Sequence, residues 1–389
     1  LRLYRTDRNG QTDITFLILT KLHRFVCTTI FISVMLKLHY QKRTLIFRFQ
    51  AGTSRGVMTE KDTYFLKMSQ KNSPQTALGE ASPLKGLSVD DLPNFEDLVA
   101  NFCQDFNTEN FDHIHPEIFE WIRQKTQGLP SIRFAAETVC LDWLHGGKRL
   151  IFENDFAKSQ QAISINGLIW MGSHEFMRTQ IEKKIKGGFT CLKMKIGAID
   201  FEQELSLLKA IRKRFSAKQI TLRVDANGAF LPEEALDKLN ALAVYDIHSI
   251  EQPIKKGQIE VVRQLCEKSP IPIALDEELI GIADKEARKN LLKTIQPHFI
   301  ILKPTLVGGI ADSLEWIEIA EKQGIAWWFT SALESNIGLN AISQLTACFQ
   351  NPLPQGLGTG QLYENNIDSP LEIKDGKIWY NSALSWASI

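Results

Sequence analysis

Five charged residues recur along the second half of the chain, each closing a short apolar run: Lys195 (CLKMK), Asp225 (TLRVD), Glu251 (IHSIE), Asp276 (IPIALD) and Lys303 (FIILK). The gaps between them are 30, 26, 25 and 27 residues. An interval of that size holds one strand, one helix and two short loops, so the spacing predicts consecutive β/α units. Parallel strands buried on both faces read as continuous apolar runs. A charge ending each run puts all five on one rim of a parallel barrel, the rim where such barrels carry their chemistry. Three carboxylates flanked by two lysines imply a hard cation between two proton-transfer groups, an arrangement for catalysis.

Eight strand-like runs are expected at residues 164–172, 189–197, 220–228, 247–253, 271–279, 299–309, 325–335 and 355–361, with seven helical patterns between them. They predict a (β/α)7β barrel of the α/β class over residues 159–365. Before it, residues 36–88 alternate like strands with turns, and residues 92–144 show three- and four-residue apolar spacing, with Ser131 as an expected helix N-cap. We read residues 35–158 as a separate α+β domain, a three-stranded sheet beside a few helices. Residues 366–389, with the hairpin-like run LEIKDGKIWY, are expected to return to it.

The first residues differ from the rest. FVCTTIFISVML follows Lys21 and Arg24 and superficially resembles a signal peptide, but no small-residue cleavage site follows it. It is also too short to span a membrane. The expectation is that Met35 initiates the natural chain and that residues 1–34 are a non-native or disordered extension. Lysine plus arginine (45) balance aspartate plus glutamate (45), so no net field favours nucleic acid or an anionic membrane. Six cysteines lack CxxC or CxxH spacing, which points to a reduced, cytoplasmic protein.

The rim residues define the chemistry further. Asp225, Glu251 and Asp276, on adjacent strand ends, can ligate Mg²⁺ (with Mn²⁺ as a substitute) and leave positions for substrate oxygens. Lys193 and Lys195 lie two apart in a strand and share one face. Mutual repulsion and burial are expected to lower the pKa of such a pair, which suits a general base. Lys303, three strands beyond Asp225, approaches the cation from the side opposite Lys195.

KMK, RVDAN, IEQP, LDEE and LKP, in this order and spacing, resemble the muconate-cycloisomerase-like branch of the enolase superfamily, and GEASPLKG and SIRFAAET extend the resemblance from Met35 onward. The resemblance implies an enolase-type capping domain over the barrel, one Mg²⁺ on Asp225, Glu251 and Asp276, and abstraction of a proton α to a carboxylate. SALESNIG, GLGTGQLYENN and the arginine of RVD look most like the branch's lyases that dehydrate a succinyl-hydroxycyclohexadiene carboxylate for menaquinone synthesis. That likeness implies Lys195 as the base, Lys303 as charge stabiliser and Lys193 on the substrate carboxylate. It also implies Ser331, Gly358, Thr359 and Arg223 at the substrate, with residues 52–58 and 84–86 as covering loops. Asn227 and Glu277 are expected to orient ligands from behind.

Alternatives on the same site are racemisation of an N-acylated amino acid, muconate-type cycloisomerisation and dipeptide epimerisation. The last usually needs an acidic DxD pair for the substrate's amino group, where this chain has Gly358-Thr359-Gly360. A catalytically silent binding barrel is the alternative from another class. The partner implied is a small carboxylate, and the oligomeric state stays open.

Overall fold

Alternation through LKLHYQKRTLIFRF forms β1 (Leu36–Thr53), which pairs antiparallel with β2 (Gly56–Gln70), which in turn pairs with β3 (Thr76–Ala81). The computed structural model describes residues 34–53 and 56–389, so the expected extension falls, except for Val34, outside the described residues. The sheet packs its apolar face on α1 (Phe95–Thr108), α2 (Pro116–Lys125) and α3 (Pro130–Leu144). Leu36, Leu38, Leu66 and Met68 meet Val99, Phe106, Ile118, Ala135 and Val139 there. Sheet and α3 approach so closely that a Cβ on Gly79 would sit 2.0 Å from the Ala135 carbonyl oxygen. Helix α3 does not start as expected. Pro130 occupies its first turn, and Ser131 lies inside the helix, where its backbone N–H (2.9 Å) and hydroxyl both donate to Asp90. A distant carboxylate thus does the capping expected of the local serine.

After α3, β4 (Ile163–Ser164) leads into seven parallel strands: β5 (Gly167–Ile169), β6 (Cys191–Lys195), β7 (Thr221–Asp225), β8 (Ile247–Glu251), β9 (Ile273–Leu275), β10 (Phe299–Leu302) and β11 (Ala326–Phe329). They neighbour one another in chain order. Helices α4 (His174–Lys186), α5 (Phe201–Arg212), α6 (Pro232–Ala243), α7 (Ile259–Lys268) and α8 (Lys285–Ile295) alternate with them. A short α9 (Pro304–Val307), α10 (Gly309–Lys322) and α11 (Asn336–Thr346) complete the set. The expected eighth strand shrinks to two residues: Gln355 pairs with Ile165 and Gly356 with Thr330, both in parallel, which joins the two edges of the sheet. Prolines at 352 and 354 remove ladder donors, and glycines at 356, 358 and 360 weaken an extended run, so pairing stops there. The ring still closes as a (β/α)7β barrel.

The hairpin β12 (Leu371–Lys374) and β13 (Lys377–Tyr380) pairs with β4. Beyond it, Trp386, Ala387 and Ile389 pack with Phe65 and Leu78 of the first sheet.

Carboxylates from the first domain hold it on the barrel. Glu80 accepts bonds from Thr63 Oγ1 (2.8 Å), Ser335 N (2.8 Å), Ser335 Oγ (2.6 Å) and Gly338 N (2.7 Å), which places its charge at the N-terminus of α11. Glu137 accepts from Ile310 N at the start of α10. Gly309 makes room for it: φ is 81°, and a Cβ there would lie 2.4 Å from Glu137 Oε2. Arg133 of α3 and Arg288 of α8 share Asp312, at 2.9 and 2.6 Å. Glu80→Ala leaves three buried donors, Ser335 N, Ser335 Oγ and Gly338 N, short of an acceptor, while Thr63 Oγ1 keeps the Ala81 carbonyl at 3.3 Å. It should cost about 3 kcal/mol in denaturant unfolding, with Glu80→Gln losing less; an unchanged midpoint in Glu80→Ala would refute the latch.

Behind Lys195, the loop after β6 is tied by Glu204, which accepts from Gly197 N (2.7 Å) and Ala198 N (3.3 Å). Burial pushes its carboxyl from 4.5 up to about 7, against those bonds. With the folded pKa above the unfolded one, the group's contribution is full below 4.5 and is lost as pH rises through about 7. Melting of the natural chain minus that of Glu204→Gln should therefore fall across this range, and a flat difference contradicts it.

Candidate active site

Register places the charges. Lys195, Asp225 and Glu251 are paired across β6, β7 and β8 at one level, and Lys193 and Arg223 pair at the level below. Glu251 pairs with Ala274, so Asp276 stands two residues beyond β9's pairing partner and faces the same interior. All three carboxylates are at most 2% exposed. Lys193 Nζ lies 3.1 Å from Asp225 and bonds Glu251; Lys195 Nζ lies 3.1 Å from Asp225. Lys303 bonds Asp276 and lies 3.9 Å from Glu251 Oε1. In the closed ring of eight strand positions, β6 and β10 stand four steps apart, so Lys195 and Lys303 face each other across the barrel.

The electrostatics differ from the sequence expectation at Lys193. Burial does pull Lys193 down, but Asp225 and Glu251 outweigh it and hold the ammonium above its ordinary pKa. Burial likewise opposes the charge of Lys303, and Asp276 and Glu251 raise it. Asp225 is buried, yet Lys193, Lys195 and Lys303 hold it well below the usual carboxylate range. Burial and the Asp225 charge push Glu251 up.

Above these charges lies a cavity of about 400 Å³, lined by Lys193, Lys195, Asp225, Asn227 and Lys303 from the barrel and by Gly56–Met58 and Leu84–Leu87 from the first domain. Trp170, Ser331, Gly358 and Thr359 also line it. Asn227 Oδ1 accepts from Lys195, and its Nδ2 donates to Glu277 at 3.1 Å, so a carboxylate orients the amide that orients the lysine. Ser331 faces the cavity with its hydroxyl fully engaged: the proton goes to Glu334 (2.5 Å), and the oxygen accepts from Thr359 Oγ1 (2.8 Å) and Leu333 N (3.1 Å). Arg223 is not among the lining residues. It donates to the Pro354 carbonyl (2.8 Å) and stacks over Trp328 at 4.0 Å, in the barrel interior.

Two wall residues carried no signal in the sequence. Asn166 Oδ1 and Thr330 Oγ1 are buried without a hydrogen-bond partner, and both residues line the cavity. Asn166 reads as a mid-strand residue in SINGL, and only closure of the ring through Gln355 and Gly356 brings it and Thr330 together.

Among the described residues, no group of three carboxylate, histidine or cysteine side chains is arranged to hold a metal, because ammonium groups stand between the three carboxylates. The donor set nonetheless fits a hard cation. It is three carboxylates on adjacent strands, and Glu251 Oε1 is buried with no hydrogen-bond partner.

Residues 177–383, which include all five periodic charges, match the family described as enolase C-terminal domain-like. An o-succinylbenzoate synthase from Desulfotalea psychrophila is 44% identical over 363 residues, covering 88% of this chain and 98% of its own. The crystal structure of MenC from that organism superposes with a TM-score of 0.75 at 39% identity, over 89% of this chain and 99% of that one. A dipeptide epimerase from Enterococcus faecalis, complexed with Mg and L-Leu-L-Tyr, has a TM-score of 0.77 at 21% identity, over 90% and 98%. At that identity the likeness speaks for the fold alone. By its family match and its near-complete coverage of the Desulfotalea enzyme, the chain belongs to the enolase superfamily, in the o-succinylbenzoate synthase family.

Proposed function

We propose that the chain is a cytoplasmic, magnesium-dependent lyase that dehydrates 2-succinyl-6-hydroxy-2,4-cyclohexadiene-1-carboxylate to o-succinylbenzoate on the route to menaquinone. The observation that carries the reading is the pair Lys195 and Lys303, facing each other across three buried carboxylates in one cavity. A proton α to a carboxylate is weakly acidic, so its removal needs positive charge at the developing enediolate.

Lys195, as the neutral amine, takes the α-proton. The C–H electron pair first moves toward the carboxylate to give the enediolate; as the enediolate collapses, that pair becomes the new ring double bond and the C–O bond breaks. The Lys195 ammonium then returns its proton to the departing hydroxide on the same face, so that water leaves and the ring becomes aromatic. Asn227, backed by Glu277, holds Lys195 on that face. Lys303 stabilises the enediolate from the other side by charge, and Lys193 faces the substrate carboxylate. Asp225, Glu251 and Asp276 would hold the Mg²⁺, which supplies further positive charge to the same oxygens when bound.

Backbone at Gly358 and Thr359, the Asn166 and Thr330 side chains and the covering loops would contact the remainder of the substrate. The wall at Gly358-Thr359-Gly360 offers no carboxylate for an ammonium group, which disfavours a dipeptide.

The test is the absorbance change on adding the cyclohexadiene substrate with Mg²⁺. Turnover is expected, with loss on chelation. Lys195→Arg should abolish both turnover and α-proton exchange with solvent. Lys303→Arg should cut turnover by about 10²- to 10³-fold while leaving measurable exchange. No turnover by a metal-loaded chain would sink the assignment, and equal loss of exchange in both variants would sink the division of roles.

A further inference from the structure

Leu333 has a φ of 65°, in the left-handed region. A residue with a Cβ stays in that conformation only where its surroundings hold it, and such outliers gather at ligand sites. Two donors converge on the Leu333 carbonyl: the Tyr363 hydroxyl at 2.7 Å and the Lys61 ammonium at 3.1 Å. Tyr363 is itself fixed, 1% exposed and packed against Phe47 with ring centroids 4.7 Å apart.

Lys61 belongs to β2 of the capping sheet, so its bond to Leu333 crosses between the two domains. It is 6% exposed, and its other two protons go to the carbonyl (3.1 Å) and the hydroxyl of Ser82. With every proton engaged below the surface, it is placed to act neither as a base nor as a direct ligand. Burial lowers its pKa, while the charges of Glu334, Glu80 and Asp90 oppose that and favour the ammonium.

The turn that Lys61 holds is part of the cavity wall. Ser331, Ala332 and Leu333 all line the cavity. Leu333 N donates to Ser331 Oγ, and the Ser331 hydroxyl donates a hydrogen bond to Glu334. Release of the Leu333 carbonyl would let the backbone leave the left-handed region and would move a wall side chain together with the Ser331–Thr359 contact.

We propose that Lys61 is a positioning residue: from the capping domain it fixes the left-handed turn at Leu333 and thereby sets the shape of the substrate-binding wall. Only the identity of the substrate here rests on the dehydratase reading.

Lys61→Met tests this with two readouts, amide hydrogen exchange of residues 331–335 and steady-state kinetics with the cyclohexadiene carboxylate and Mg²⁺. Exchange in that segment should rise about tenfold or more while β6 and β7 stay protected. KM should rise about tenfold with kcat changed less than about threefold, because the wall binds substrate and transition state alike. Tyr363→Phe removes the second donor without disturbing a buried charge. It should move both readouts in the same direction by a smaller factor, and it decides the matter if Lys61→Met does not fold. Unchanged exchange in a folded variant overturns the proposal, as does a fall in kcat at constant KM. An unsubstituted chain inert toward the substrate would overturn the dehydratase reading instead, and the exchange measurement would still decide the role of Lys61.

Discussion

Everything in the barrel mouth depends on mutual neutralisation of buried charge. Three lysine side chains (Lys193, Lys195, Lys303) face three carboxylates (Asp225, Glu251, Asp276), and none of the carboxylates is more than 2% exposed. Placing an isolated ion at such depth costs several kcal/mol even after relaxation, so each charge is tenable only because the others are there. Parallel register supplies the geometry: one residue per strand end, at one level, on one face. Because the rim alone is close to neutral, a divalent cation added to it leaves surplus positive charge facing the cavity, which suits an anionic substrate and a more anionic transition state.

The capping domain is held to this rim by the same economy of charge. Glu80 and Glu137 set their carboxyl groups against the N–H groups that open two barrel helices and would otherwise lack acceptors. Arg133 adds an ion pair to Asp312, which Arg288 also holds. These contacts lie behind the cavity and fix the body of the cap, whereas Gly56–Met58 and Leu84–Leu87 reach over its mouth. Lys61 lies between the two regions, joined to the cap at Ser82 and to the cavity wall at Leu333.

Much of this was legible in the sequence because burial forces a pattern. Apolar runs ended by a charge every 25 to 30 residues admit few folds, and the order of Lys195, Asp225, Glu251, Asp276 and Lys303 survives into space as the order of strands. The lysines' strand faces were equally readable, since period two fixes them. Side-chain direction beyond the strand was not. Arg223 shares the inward face of Asp225, but its length lets it turn down onto Trp328 and Pro354 instead of up into the cavity. Long-range acceptors were also hidden: the sequence pointed to Ser131 as a cap, but Asp90 performs that task from 41 residues away. The pKa of Lys193 depends on distances to Asp225 and Glu251, which no spacing rule provides, so repulsion between neighbouring lysines was overestimated against attraction from across the strands.

The central claim is that the three strand-end carboxylates form one divalent-cation site between Lys195 and Lys303. Titration of the purified chain with Mn²⁺, followed by electron paramagnetic resonance of free Mn²⁺, tests it directly. The account predicts a single site per chain that Mg²⁺ displaces. Binding should weaken by about 10²-fold or more in Glu251→Gln, which exchanges an anionic ligand for a neutral one in a folded protein. Undiminished Mn²⁺ binding in Glu251→Gln, or no binding by the unsubstituted chain, would contradict it.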